Sequence, residues 1–325
     1  MIFFITFLRA LAACFITNAH YVGIYPNDII ANGGLIGDVL FFAVSGYCLF
    51  NVKYRLSLKG FAGWYGKRIW RVYPPVLLMT AIYMLCGAYS LNEHNAAWWY
   101  LYPTYYHFVA SIIVLYIPFF FIMKIEWLRN NILPLMGGIG IIWLLVYALF
   151  YDKSYYHIDT VREPMIRFLF MESMLLGAWF RQNDKRLRNE FKLIYPVCAM
   201  IAFLIYFASK LLFSKRSALS SLQFLNQIAI FILLYFMFRT FCGLDARLEK
   251  MPGQVKQVVG FLSGITLEIY LVQYVIIAVV RDWHLFFPLN WVVLTSCIIG
   301  SAFALHKVCE WMYRGVDKAL KGRHV

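Results

Sequence analysis

Ten stretches of mostly apolar residues, each about a membrane's thickness long, recur along this chain. They lie near 2–21, 33–52, 73–91, 105–123, 132–150, 164–180, 193–213, 222–241, 260–280 and 289–308. A helix rises 1.5 Å per residue, so roughly 20 apolar residues cross a hydrocarbon core of ~30 Å. Within hydrocarbon, every backbone N–H and C=O must find a partner inside the protein. Repeated stretches of this length therefore predict an all-α, polytopic membrane bundle of about ten transmembrane helices. The connectors are short, and no linker divides the chain, so residues 1–325 read as a single integral-membrane domain. No internal repeat of the kind that marks many transporters is visible. Composition agrees: 62% of the 325 residues are hydrophobic and 14% charged, well beyond the roughly half-apolar usage of soluble domains. Arg9 interrupts the first apolar run and no small-residue cleavage site follows, which predicts a retained first helix rather than a leader peptide.

The formal net charge of +14 would suit a nucleic-acid partner if the cations formed one patch. They do not. With alternating loops assigned to the two sides, one side carries 22 of the 30 lysines and arginines and the other carries six. Positive residues accumulate on the cytoplasmic side of membrane proteins. The split predicts cytoplasmic termini and explains the charge without nucleic acid. The abundant Phe, Tyr and Trp fit aromatic belts at two interfaces.

The seven cysteines, Cys14, Cys48, Cys86, Cys198, Cys242, Cys297 and Cys309, form no CxxC pair and lie mostly in apolar runs. They read as small hydrophobes, with no disulfide framework and no metal site. Ionisable residues within apolar runs cost energy and tend to be functional. Here they are Arg9, Asp38, Arg167, Glu172 and Glu268, with His20 and His107 near helix ends. Arg167, Glu172 and Glu268 read as pairing or packing residues, and His107 as an interface histidine.

Arg9 and His20 are more informative together. Eleven residues at 100° each make three turns plus about 20°, so both side chains face nearly the same way, ~16 Å apart along the axis. That distance excludes a direct hydrogen bond. The two residues mark the ends of one polar stripe, suited to a long ligand that enters at one end and reacts at the other. An Arg reaching toward one interface and a His at the other would give the same pattern.

Residues 41–46 read FFAVSG. Ser45 and Gly46 are small enough for close helix approach, and no G-x-S-x-G elbow marks Ser45 as a nucleophile. Residues 59–75 read KGFAGWYGKRIWRVYPP, in a predicted cytoplasmic loop. Trp64, Tyr65 and Trp70 suggest an interfacial segment. Arg68 and Arg71 share a face if this segment is helical, and paired guanidiniums match phosphate oxygens.

In order and spacing these pieces resemble the acyltransferase type 3 family, multi-span membrane enzymes that O-acylate sugars, polysaccharides and some lipids. The resemblance rests on Arg9 and His20 in the first helix, Phe41, Phe42, Ser45 and Gly46 in the FFxxSG of the second, and Arg68 and Arg71 in RxxR before Tyr73-Pro74. MESMLLGAWF at 171–180 and GITLEIYLVQ at 264–273 resemble later family segments. Gln273 departs from the family, many of whose members have His there. The sequence predicts no additional extracytoplasmic domain of the kind that some members carry at the C-terminus.

The resemblance implies a cytoplasmic acyl-CoA donor, commonly acetyl-CoA, and no permanently bound cofactor. It implies a glycan or lipid-linked sugar acceptor at the outer side of a bacterial cytoplasmic membrane. Arg68 and Arg71 would hold the CoA phosphates and Arg9 would contact the pantetheine arm or the thioester. His20 would act as general base, while Phe41, Phe42, Ser45 and Gly46 would pack around the acyl path. The aromatic loops near 92–104 and 151–163 would suit a sugar acceptor or an interface belt. Other readings of the same charges are a transporter or flippase of a glycan or lipid intermediate, and a scaffold with an inactive enzyme fold.

Overall fold

The computed structural model describes residues 2–101, 107–160 and 164–321. The described residues form helices and turns with no strand. Eleven helices of twelve or more residues carry the architecture: α1 (Phe3–Ala19), α2 (Gly34–Leu49), α3 (Leu58–Leu85), α4 (His107–Lys124), α5 (Ile132–Phe150), α6 (Ile166–Gln182), α7 (Ile194–Lys215), α8 (Phe224–Gly243), α9 (Gly253–Gly264), α10 (Thr266–Arg281) and α11 (Leu289–Lys321).

Helices overlap all ten apolar stretches, but among the described residues fewer than ten are both long and apolar enough to count as spans. Six helical segments are long and apolar enough to cross a membrane, and the pair α9–α10, bent by 70°, makes a seventh if counted as one broken span. The helices α1 and α6 have only 17 residues each. In α3 the length suffices, but its first half is the polar segment KGFAGWYGKRIWR.

That segment also corrects the expected loop at 53–72, since α3 starts at Leu58. Ser57 caps it by accepting the Gly60 N–H at 3.0 Å, which satisfies one of the open donors of a helix N-terminus. Trp64 is buried against Tyr116 and Phe120 of α4, with ring centroids 5.8 and 5.2 Å away. Packing of this indole draws the basic segment onto the bundle. The predicted phosphate-binding arginines therefore sit on a helix that continues into the apolar stretch.

The tightest crossing joins α2 and α6. A Cβ built on Gly46 would overlap the Met174 carbonyl, and one on Gly177 would overlap the Ala43 carbonyl. Each helix thus presents its glycine to the backbone of the other, a contact that only glycine permits. Phe42 stacks on Phe170 beside this crossing at 4.2 Å. Substituting Gly177→Val is expected to force the helices apart, at a cost of about 1–3 kcal/mol or more. Lower thermal stability and lower yield in detergent would be measured. Unchanged stability would mean that the crossing relaxes freely.

Polar ties fix the α1 end of the bundle. Asp245 accepts the Phe4 N–H at 2.8 Å and faces Arg188 at 3.6 Å. Asp184 accepts the Tyr47 hydroxyl at 2.6 Å and pairs with Arg188 at 3.0 Å. At the periphery, α5 exposes Ile141, Leu144, Leu145 and Leu149, and α7 exposes Met200, Ile201, Leu204 and Ile205. Apolar faces of this extent suit hydrocarbon rather than water. The chain is a multi-pass, all-helical membrane protein.

Candidate active site

At one end of the bundle, α1, α2, α3, α4, α10 and α11 surround a cavity of ≈ 550 Å³. Arg9 reaches it from α1, Ser45 and Cys48 from α2, and Arg68 and Arg71 from α3. The three-residue spacing puts both α3 guanidiniums on one face. Among the described residues, none of these three arginines makes an ion pair with a carboxylate. Arg9 lies 3.7 Å from the Cys48 thiol. Arg68 lies over the Trp64 ring at 5.6 Å, and its Nε is buried without a hydrogen-bond partner. A buried, unpartnered donor on a guanidinium is costly, which marks the position as ready for an anion.

The break between α9 and α10 adds to this field. Ser263, Gly264, Thr266 and Leu267 line the cavity. The N-terminus of α10 has no side-chain cap, so its open N–H groups and positive dipole end favour negative charge.

The same cavity holds a pair that sequence reasoning did not find. Glu268 Oε1 lies 2.8 Å from His306 Nδ1, and Glu310 lies 3.6 Å from His306 Nε2. Glu310 also meets Lys307 at 2.9 Å. The two carboxylates are thus engaged locally and do not neutralise Arg9, Arg68 and Arg71. Glu268 was legible as a membrane-embedded acid, but its partner lies on another helix, 38 positions away, which no sequence period reveals.

A second cavity, here called the neck, has about 10 Å³ of free space; it shares Phe41, Phe108, Thr266 and Leu267 with the first and is lined also by Ala13, Ile16, Thr17 and Tyr270. Phe41 and Phe108 meet edge to face at 4.7 Å, and both line the cavity and the neck. Arg9, Ala13, Ile16 and Thr17 thus form one face of α1 leading from cavity to neck. His20 caps α1 one turn further on and is exposed.

The loop after His20 holds its backbone firmly. Asn18 donates to the Ile30 and Asn32 carbonyls at 2.8 and 2.9 Å. Asp28 accepts the Gly23 N–H at 2.6 Å, Arg281 donates to Val22 O at 2.8 Å, and Asn290 donates to Ile24 O at 2.8 Å. Gly23 adopts φ +77° to make this reversal, a conformation that favours glycine. His20 Nδ1 lies 2.7 Å from Ile16 O. A carbonyl oxygen only accepts, so Nδ1 carries the proton and Nε2 keeps its lone pair. That tautomer is the one a general base needs.

The remaining sequence candidates are spread through the fold. Phe42 and Gly46 belong to the α2–α6 crossing, whereas Phe41 and Ser45 face the cavity. Asp38 lies on the same face of α2 as Phe41 and Ser45 and is buried. Glu172 makes no ion pair among the described residues, and its Oε1 is buried without a hydrogen-bond partner. Arg167 is half-buried on α6 and makes no ion pair among the described residues, and His107 opens α4. Near residue 92 the loop aromatics pack on one another, His94 on Trp98 at 3.6 Å and Tyr89 on Trp99 at 4.2 Å. Residues 102–104 and 161–163 of the two aromatic loops lie outside the described residues.

A family model described as an acyltransferase domain matches residues 2–307. No curated protein and no solved structure is matched. The match covers nearly the whole chain, including the neck, His20 and the cavity lining apart from Glu310 and Tyr313. The chain therefore belongs to the acyltransferase type 3 family.

Proposed function

We propose that this membrane acyltransferase takes its acyl group from acyl-CoA bound at the arginine-lined cavity. It delivers that group to a hydroxyl of a glycan, polysaccharide or lipid-linked sugar at the His20 end. The observation that carries this reading is three arginines around one cavity, without an ion pair among the described residues, and a small second cavity that shares Phe41 and Phe108 with it and lies on the face of α1 that runs toward His20. Arg68 and Arg71 hold the CoA phosphates by charge-assisted hydrogen bonds. Arg9 contacts the pantetheine arm on its way to the neck. The basic asymmetry of the loops supports a cytoplasmic arginine end and an outer histidine end.

In the reaction, His20 Nε2 takes the proton of the acceptor hydroxyl as its oxygen attacks the thioester carbonyl. The C–S bond breaks as the tetrahedral intermediate collapses. The CoA thiolate leaves and recovers the proton from the imidazolium. Atoms and charge balance without an acyl-enzyme. The tight neck favours a short acyl group, acetyl first. Transport of an intact glycan would be favoured by broken helices at matching positions in two halves; the described residues hold one bent pair, α9–α10.

The test is purified protein in membranes with labelled acetyl-CoA, or a longer labelled acyl-CoA, and a mixed glycan extract. A base-labile labelled ester on the glycan is expected, formed faster from acetyl-CoA than from the longer donor. Movement of unmodified glycan across the membrane with no ester formed would overturn the reading in favour of transport.

A further inference from the structure

Gln273 lies on α10, 2% exposed. Its side-chain nitrogen is 3.5 Å from His20 Nδ1, while its Oε1 is buried without a hydrogen-bond partner. The His20 Nδ1–H already points to Ile16 O at 2.7 Å. An amide nitrogen against that N–H sets donor against donor and leaves an acceptor stranded. The two amide atoms are interchangeable by shape. Exchanging them turns the contact into Nδ1–H···Oε1 and removes the orphaned acceptor. Tyr83 of α3 donates to the Leu271 carbonyl, which fixes α10 two residues from Gln273. The amide is therefore held on a rigid element.

We propose that Gln273 is a positioning residue for His20. Its Oε1 shares the Nδ1–H with Ile16 O, holds the tautomer whose Nε2 is free, and stabilises the imidazolium formed when Nε2 takes a proton. The amide nitrogen, turned the other way, takes the buried position that no hydrogen-bond partner reaches, so the exchange trades an unpartnered acceptor for an unpartnered donor while removing the donor–donor contact at His20. The role in turnover rests on the reading of His20 as the base. Ionisable groups on the elements packed around this end are Cys14 of α1, Tyr21, Tyr25 and Asp28 of the loop, Asp38 on α2, Tyr83 and Tyr89 at α3, Tyr270, Tyr274, Arg281 and Asp282 at α10, and His284 after it. Arg281 and Asp28 are engaged with backbone. Among the described residues, only Ile16 O and Gln273 lie within hydrogen-bond reach of the His20 ring.

The test uses the full chain in lipid nanodiscs with ¹⁵N-labelled histidine, in wild type, Gln273→Leu and Gln273→Glu. The His20 signals are identified by their loss in His20→Gln. Wild type is expected to titrate from the Nδ1–H tautomer. Gln273→Leu is expected to weaken that tautomer and lower kcat about tenfold at unchanged donor KM. Gln273→Glu keeps an acceptor and adds a negative charge. An opposite charge favours the imidazolium, so the His20 pKa rises by about a unit. The acid limb of the pH–rate profile moves up with it, while the rate at high pH is retained. Unchanged tautomer, titration and pH profile in both variants would overturn the proposal. The titration is read without substrate. A shift in protein that transfers nothing would uphold the Gln273 contact and overturn the acyl-transfer reading instead.

Discussion

His20→Ala is expected to lower acyl transfer by about 10²–10⁴-fold, the usual contribution of a positioned general base, while donor affinity stays unchanged. His20 caps α1 and is exposed, so removing the imidazole leaves no core cavity, and the fold should survive. The loop behind it is held by Asn18, Asp28, Arg281 and Asn290, none of which depends on the ring. Rate and binding therefore separate. His20 lies beyond the neck and does not line the arginine cavity. Initial rates with labelled donor, together with CoA binding to the same preparation, check this. Full activity in the variant would remove His20 from the chemistry. Loss of binding along with rate would mean that the two ends are not separate sites.

The double variant Arg68→Gln/Arg71→Gln is expected to raise the donor KM by about 10²-fold with little change in kcat. Hydrogen bonds to charged groups contribute about 1.5–3 kcal/mol each. Arg71 is exposed and solvent screening reduces its share, so the lower end of the combined range applies. Gln keeps much of the side-chain volume and some donors, so the loss reports charge rather than packing. Wild-type affinity should fall as salt rises, and the variant should lose most of that dependence. Cys48 offers a second readout, since its exposed thiol lines the same cavity. In protein with the other cysteines replaced, CoA should protect Cys48 from a maleimide in wild type and fail to do so in the variant. If the acceptor KM moved instead, the phosphate assignment to these arginines would be wrong.

Much of the candidate site was legible because its parts obey local periods. Arg9 and His20 share a face of α1 through helical geometry alone. Arg68 and Arg71 share a face of α3 through their three-residue spacing. What the sequence left open was of a different kind. A count of ten spans followed from apolar runs, but hydropathy does not fix helix length or say where a helix starts. Ser57 and the packing of Trp64 start α3 well before its apolar stretch. Glu172, read as a pairing or packing residue, keeps its buried Oε1 without a hydrogen-bond partner among the described residues, a feature that depends on which helices surround it.

The sequence by itself determined a helical membrane protein, the family to which it belongs, and the order of the arginines and the histidine along single helices. These follow from residue polarity, from the fixed rise and twist of a helix, and from motifs read in line. Only the tertiary structure decided that Arg9, Arg68 and Arg71 border one cavity with no carboxylate partner among the described residues, that Glu268 meets His306, and that Gln273 faces His20. Each of these joins residues far apart in the chain, across crossings as close as that of Gly46 and Gly177. No helical period encodes such a contact, because it is set by which helices pack together and how nearly they approach.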